Sequence, residues 1–142
     1  MAVILVTGAS GQLGNELKTE AENYRGYEFI FTDIDTLDIT DSEKTREFVE
    51  QTEPGWIINC AAYNLVDKAE TEPEKAMLIN TQAVRNLAGA IKGISCRLIH
   101  VSTDYVVEGS SNTPYNEMSP VNPQSAYGRS KLGGEREALQ HN

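Results

Sequence analysis

The sequence predicts an α/β fold, a doubly wound parallel sheet, and three observations carry that prediction. Short runs rich in Val and Ile, at residues 2–6, 56–62 and 97–101, do not alternate polar with apolar, which is the pattern of strands buried on both faces. Segments with helical spacing separate them, as right-handed crossover units require. A turn with glycine at positions 8, 11 and 14 joins the first run to the first helical segment.

The elements follow in order. Residues 2–6 form the first strand, and 12–24 form a helix opened by the glycine turn. Residues 28–31 are a shorter strand of strong strand formers. Residues 41–52 read as a helix that starts on Asp41 and Ser42, with Phe48 and Val49 turned inward. Strand 56–62 leads to helix 74–91, where Ala76, Ile79, Ala83, Leu87 and Ala90 recur at helical spacing and Pro73 suits the first turn. After strand 97–101 comes the longest irregular stretch, 106–124, with Gly109, Pro114, Pro120 and Pro123; loops of this length usually serve function. Residues 125–140 form the last helix.

A chain of 142 residues suits one domain with a substantial core. Hydrophobic residues at 39% and charged residues at 23% mark it as globular rather than disordered. The net charge of −9 is concentrated, since residues 16–53 hold twelve acids and four bases. No basic stripe is present, which excludes a nucleic-acid binder. Any anionic ligand must therefore be held by backbone N–H groups and a few placed side chains. No apolar run nears the ~20 residues of a membrane helix. Cys60 and Cys96 lie in apolar runs and do not frame a disulfide. A cytoplasmic protein with no membrane partner and no metal is expected.

Gly8, Gly11 and Gly14 stand where a strand turns into a helix. Glycine there permits the tight turn, lets the backbone approach a pyrophosphate and lets the helix pack on the sheet. The helix N-terminus adds free N–H groups and partial positive charge. The Gly-Lys-Ser/Thr ending of a nucleoside-triphosphate loop is absent, so a dinucleotide is the expected ligand and the sheet reads as a Rossmann-type NAD(P)-binding domain. Asp33, just past the second strand, is placed for the adenosine ribose hydroxyls. A carboxylate there repels the extra phosphate of NADPH, so NADH is mildly favoured. Asp38 and Ile39 are placed to flank the adenine.

Tyr127 and Lys131 lie four apart on the last helix and face one way. A nearby ammonium favours a phenolate, which makes such a pair useful for proton transfer. Thr103, at the carboxyl end of the fourth strand, sits where open α/β sheets bind ligands and offers a hydroxyl to a carbonyl under reduction. Asn80 is a mediocre helix former midway along a helix, placed either for binding backbone or water near the site or for a structural role.

Together these residues resemble the extended short-chain dehydrogenase/reductase superfamily, and within it the dTDP-4-dehydrorhamnose reductase family. The segments that carry the resemblance are ILVTGASGQLGNEL, FTDIDTLDIT, IINCAAYNLVDKAETEP, LIHVSTDYVVEG, NTPYNE and PQSAYGRSKLGGE. The resemblance implies NAD(P)H-dependent reduction of the 4-keto group of dTDP-4-dehydro-6-deoxy-L-mannose to dTDP-L-rhamnose. It makes Tyr127 the acid and Lys131 the binder of the nicotinamide ribose. Thr103 and Asp104 would contact the sugar. Gly11, Gln12, Leu13, Asp33, Asp38, Ile39, Ala61, Ala62 and Tyr63 would line the coenzyme. Where the family reads Tyr-Val-Phe-Asp-Gly, this chain has Tyr105-Val106-Val107-Glu108-Gly109, a change that bears on substrate fit.

Family members continue for about as many residues again. Residues 1–142 are therefore expected to be the NAD(P)-binding domain with its Tyr-Lys helix, truncated before the last strands and lacking the sugar-nucleotide domain. Such a chain should bind coenzyme yet turn over substrate negligibly, and its fourth strand should lie on an open sheet edge. A homodimer stays open. Two other readings remain: a nucleotide-sugar dehydratase or epimerase of the same superfamily, and a non-catalytic regulatory subunit resembling the methionine adenosyltransferase β-subunit.

Overall fold

A computed structural model describes residues 1–140; His141 and Asn142, the end of the expected domain, lie outside the described residues. Four strands make one sheet: β1 (Ala2–Thr7), β2 (Tyr27–Thr32), β3 (Trp56–Asn59) and β4 (Arg97–His100). They pair in parallel in the order β2-β1-β3-β4. The chain runs outward from β1 to β2, then crosses back to β3, so the order reverses beside β1. Ligands of open α/β sheets bind at such a reversal, beyond the carboxyl ends of the strands.

The register explains the core. Ile30, Leu5, Ile57 and Leu98 stand side by side across the sheet on one face. Over them pack Val49 of α2 (Ser42–Thr52), Val84, Leu87 and Ala88 of α5 (Ala83–Ala90), and Ala138 of α6 (Ala126–Leu139). Leu5, Ile57, Val49 and Leu87 are fully buried, and burying each side chain contributes roughly 1.5–3 kcal/mol. On the opposite face the row is Phe31, Val6, Ile58 and Ile99. Helix α1 (Gln12–Ala21) lies on this side, with Lys18 Nζ 5.9 Å from the centre of the Phe31 ring.

Cover on that second face is uneven. Val6 is fully buried, whereas Ile99 is 46% exposed. The expectation that β4 is buried on both faces is corrected: Leu98 joins the core and Ile99 meets solvent, because α1 covers the β1–β2 side of the sheet. Among the described residues strand β4 pairs with β3 alone and stands at the edge of the sheet, as expected.

Local chemistry accounts for the ends of the helices. Asp41 caps α2 by accepting from Lys44 N, and Ser125 caps α6 by accepting from Gly128 N. The helix expected over 74–91 runs as α4 (Pro73–Met77), a π-helical turn (Leu78–Gln82) and α5, preceded by a short α3 (Val66–Ala69) that periodicity missed. Strand β3 ends three residues early. Asn59 Oδ1 accepts from Ala61 N at 3.1 Å, which diverts the backbone from the ladder. No described helix is long and apolar enough to cross a membrane.

Candidate active site

The residue immediately beyond each strand, Gly8, Asp33, Cys60 and Val101, lines one groove. The groove has two chambers of about 360 Å³ and about 220 Å³. Gly11, Cys60, Ala62 and Asn64 line both, so the chambers adjoin. Asp33, Asp38, Ile39 and Ala61 line the larger one, and Gln12, Leu13, Gly14, Tyr127 and Lys131 the smaller.

The glycine turn is sterically obligatory. Gly8 has φ +67, and a Cβ there would stand 2.5 Å from Ala61 N. A Cβ on Gly14 would stand 2.6 Å from both Ala9 Cα and Gly8 O. The turn thus presses β1, β3 and α1 together at the mouth of the groove. No side chain caps α1 at Gly11, unlike α2 and α6, so its first-turn amides are left for another acceptor. A closely approaching backbone and an uncapped helix start fit a pyrophosphate.

Asp33 ties the second strand to this turn. Its carboxylate accepts from Ser10 N at 2.7 Å and Ile34 N at 2.8 Å. Burial alone would raise its pKa. The two backbone donors, with help from Lys18, outweigh that and hold the carboxyl below its ordinary range. Asp33 is therefore charged at neutral pH. Asp38 accepts from Thr40 through both the amide at 3.0 Å and the hydroxyl at 2.7 Å.

At the other end, Tyr127 and Lys131 are buried on α6. The Tyr127 hydroxyl donates to Asn64 Oδ1 at 3.4 Å, and its ring meets Tyr105 edge-on at 5.5 Å. Lys131, 3% exposed, donates from Nζ to the Val101 carbonyl at 2.6 Å. Burial lowers its pKa, and the charge of Glu135 opposes that shift. Behind this end lies a polar relay across the strands. Thr7 Oγ1 donates to Asn59 Oδ1 at 2.7 Å, and Asn59 Nδ2 donates to His100 Nδ1 at 3.1 Å. The His100 proton therefore sits on Nε2, which is buried without a partner among the described residues. Burial, aided by the Lys131 charge, pushes the His100 pKa down to about 4, so the ring is neutral.

Asn80 holds the end together. It is 1% exposed on the π-helical turn, accepts from Tyr63 N at 2.8 Å, and donates to Tyr63 O at 3.0 Å and Ser130 Oγ at 2.9 Å. It thereby joins the loop carrying Asn64 to the helix carrying Tyr127. Glu70 accepts from Ala126 N at 2.7 Å and so fastens the start of α6.

Not every expected residue reaches the groove. The Tyr63 side chain packs with Ala69, Ala76, Ala126 and Tyr127 and donates to Glu72 at 2.7 Å; burial and that carboxylate push its pKa up to about 12. Thr103 caps a 3₁₀ turn (Asp104–Val106) by accepting from Tyr105 N at 3.3 Å, while its neighbour Ser102 lines the small chamber. Asp104 instead lines a separate cavity of about 400 Å³ with Tyr105, Val107, Glu108, Gln124 and Ser125. Asn64, Cys60 and Ser102 were missed. Only their places just beyond strand ends offered a signal.

A Rossmann-type sheet with a glycine-lined groove and a Tyr-Lys helix defines a nucleotide-binding class of protein. The chain belongs to the RmlD substrate binding domain family, whose model matches residues 1–142. It is 43% identical over 136 residues to the dTDP-4-dehydrorhamnose reductase of Streptomyces griseus, a match covering 96% of this chain and 44% of that one. It is 38% identical over 144 residues to the methionine adenosyltransferase 2 subunit beta of Xenopus laevis, covering 97% and 43%. The dTDP-4-dehydrorhamnose reductase of Bacillus anthracis, solved with NADP, superposes with a TM-score of 0.95 at 37% identity, over 100% of this chain and 50% of the other. The chain spans about half the length of the curated relatives it matches.

Proposed function

We propose that the chain binds NADH or NADPH along the groove and serves as the coenzyme and proton-transfer part of a reductase acting on the 4-keto group of dTDP-4-dehydro-6-deoxy-L-mannose, giving dTDP-L-rhamnose. The observation that carries this reading is that the chamber beside the Asp33 carboxylate and the chamber of the Tyr127–Lys131 pair share a wall, formed by Gly11, Cys60, Ala62 and Asn64. In this reading Asp33 takes the adenosine ribose hydroxyls, which favours NADH, and Asp38 and Ile39 flank the adenine. The uncapped amides at the start of α1 hold the pyrophosphate. Lys131 binds the nicotinamide ribose. When bound, the nicotinamide supplies the hydride. The Tyr127 hydroxyl gives its proton to the ketone oxygen; Thr103, whose hydroxyl caps the turn at Tyr105, stands outside the groove and takes no part in polarising that carbonyl. Asp104 contacts sugar hydroxyls from the cavity beyond Tyr105, where Val107 and Glu108 bear on substrate fit.

Fluorescence titration of the chain with NADH and NADPH, followed by the 4-keto sugar nucleotide, tests this. Saturable binding, tighter for NADH and lost in Gly8→Ala, is expected; absence of binding to either dinucleotide overturns the reading. The 38% identity to the Xenopus laevis subunit supports a second reading, a non-catalytic partner of a synthetase. The Tyr127–Lys131 pair facing one chamber favours the first. Co-purification with a methionine adenosyltransferase, without ketone reduction, would favour the second.

A further inference from the structure

Tyr127, Lys131 and Glu135 stand at successive four-residue steps along α6 and so form one stripe. The first two line the small chamber, whereas the third has no part in the function proposed above. Its carboxylate accepts a hydrogen bond from the Ser102 hydroxyl. Lys131 donates to the carbonyl of Val101, the residue before Ser102. Two adjacent residues of the segment beyond β4 are thus gripped by two successive turns of one helix. Val101 and Ser102 both line the chamber, so this grip sets its wall.

A buried ammonium needs compensation, and a single carbonyl supplies only part of it. The titratable groups around Lys131 are few. His100 comes from β4 and is neutral, Cys60 lines the chamber from beyond β3, and Tyr127 and Glu135 share α6. Of these, Glu135 is the one that favours the charged amine.

We propose that Glu135 is a positioning residue for Lys131, clamping the 101–102 segment to α6 and supplying the negative charge that the buried ammonium faces. The proposal deepens the assignment of this chamber to the nicotinamide end and rests on it for its consequence in binding, but not for its electrostatics.

The test uses the whole chain carrying ¹³C-labelled lysine, with the Lys131 side-chain resonance assigned through Lys131→Arg. Glu135→Gln keeps an acceptor for Ser102 and removes the charge. Its Lys131 amine should lose its proton at lower pH than in the parent chain, and Glu135→Asp should restore much of the difference. Ser102→Ala, which keeps the charge, should shift that titration less. NADH binding should weaken about fivefold in Glu135→Gln, in line with the loss of one partly buried charge partner. An unchanged Lys131 titration in Glu135→Gln, with far-UV circular dichroism showing a folded chain, overturns the proposal. A chain that titrates as expected but binds neither dinucleotide upholds the role of Glu135 and overturns the nicotinamide reading.

Discussion

At the scale of single residues, the site depends on polar groups taken out of water and then satisfied one by one. Asn59 shows the logic: its oxygen serves Thr7 and Ala61, which leaves its nitrogen for His100 and fixes that ring's tautomer. The ring is buried beside the Lys131 ammonium, and a second proton would have to displace the bond that Nδ1 accepts from Asn59, so charging it is expensive. Its pKa in the fold, about 4, lies below the ordinary 6.5. The stabilisation this represents is therefore complete above pH 6.5 and is lost as pH falls from 6.5 through 4. Urea unfolding across that range should show the midpoint dropping more steeply for the parent chain than for His100→Gln. Parallel slopes would mean that His100 takes no part.

At the scale of elements, the junction between the π-helical turn and α6 decides the geometry of the Tyr127 end. A Cβ on Gly133 would overlap the Thr81 side chain, and one on Gly134 would overlap Asn80 O, so the second glycine lets the two backbones meet and the first makes room for Thr81. Thr81 Oγ1 adds a hydrogen bond to Ser130 O at 2.7 Å. Asn80→Ala removes three buried hydrogen bonds and strands the Tyr63 amide. A loss of about 3 kcal/mol is expected, seen as a fall of roughly 6–12 °C in melting temperature, with weaker NADH binding. The order of strands and helices was legible because Val- and Ile-rich runs and helical spacing are local signals. The glycine turn was legible for the same reason. Asn64 and the true place of Tyr63 were not, because the Asn80 side chain, 17 residues on, sets the path of that loop. The π-helical turn left no mark in the periodicity, since its cause is contact with α6.

At the scale of the molecule, helices α2, α5 and α6 cover one face of the sheet while α1 covers part of the other, and β2 and β4 are its edges. Along β4, Ile99 is 46% exposed and Val101 beyond it 41% exposed, on the face that α1 leaves uncovered. Neighbouring apolar side chains left in water favour self-association. Sedimentation at rising concentration should show self-association of the parent chain and a monomer for Ile99→Lys, with NADH affinity unchanged; a parent chain monomeric throughout would rule this out. The two ends of the groove also differ in how far apart their parts lie along the chain. At the Asp33 end the Ser10–Asp33 bond spans 23 positions. The Tyr127 end closes through Asn80–Ser130 and Asn64–Tyr127, separated by 50 and 63 positions. Loop-closure entropy rises with that separation, and contacts of long span form late. The Ser10–Asp33 bond is therefore expected to form before α6 docks, and pulse-labelled hydrogen exchange checks this by whether the Ser10 amide is protected ahead of the Ala126 amide.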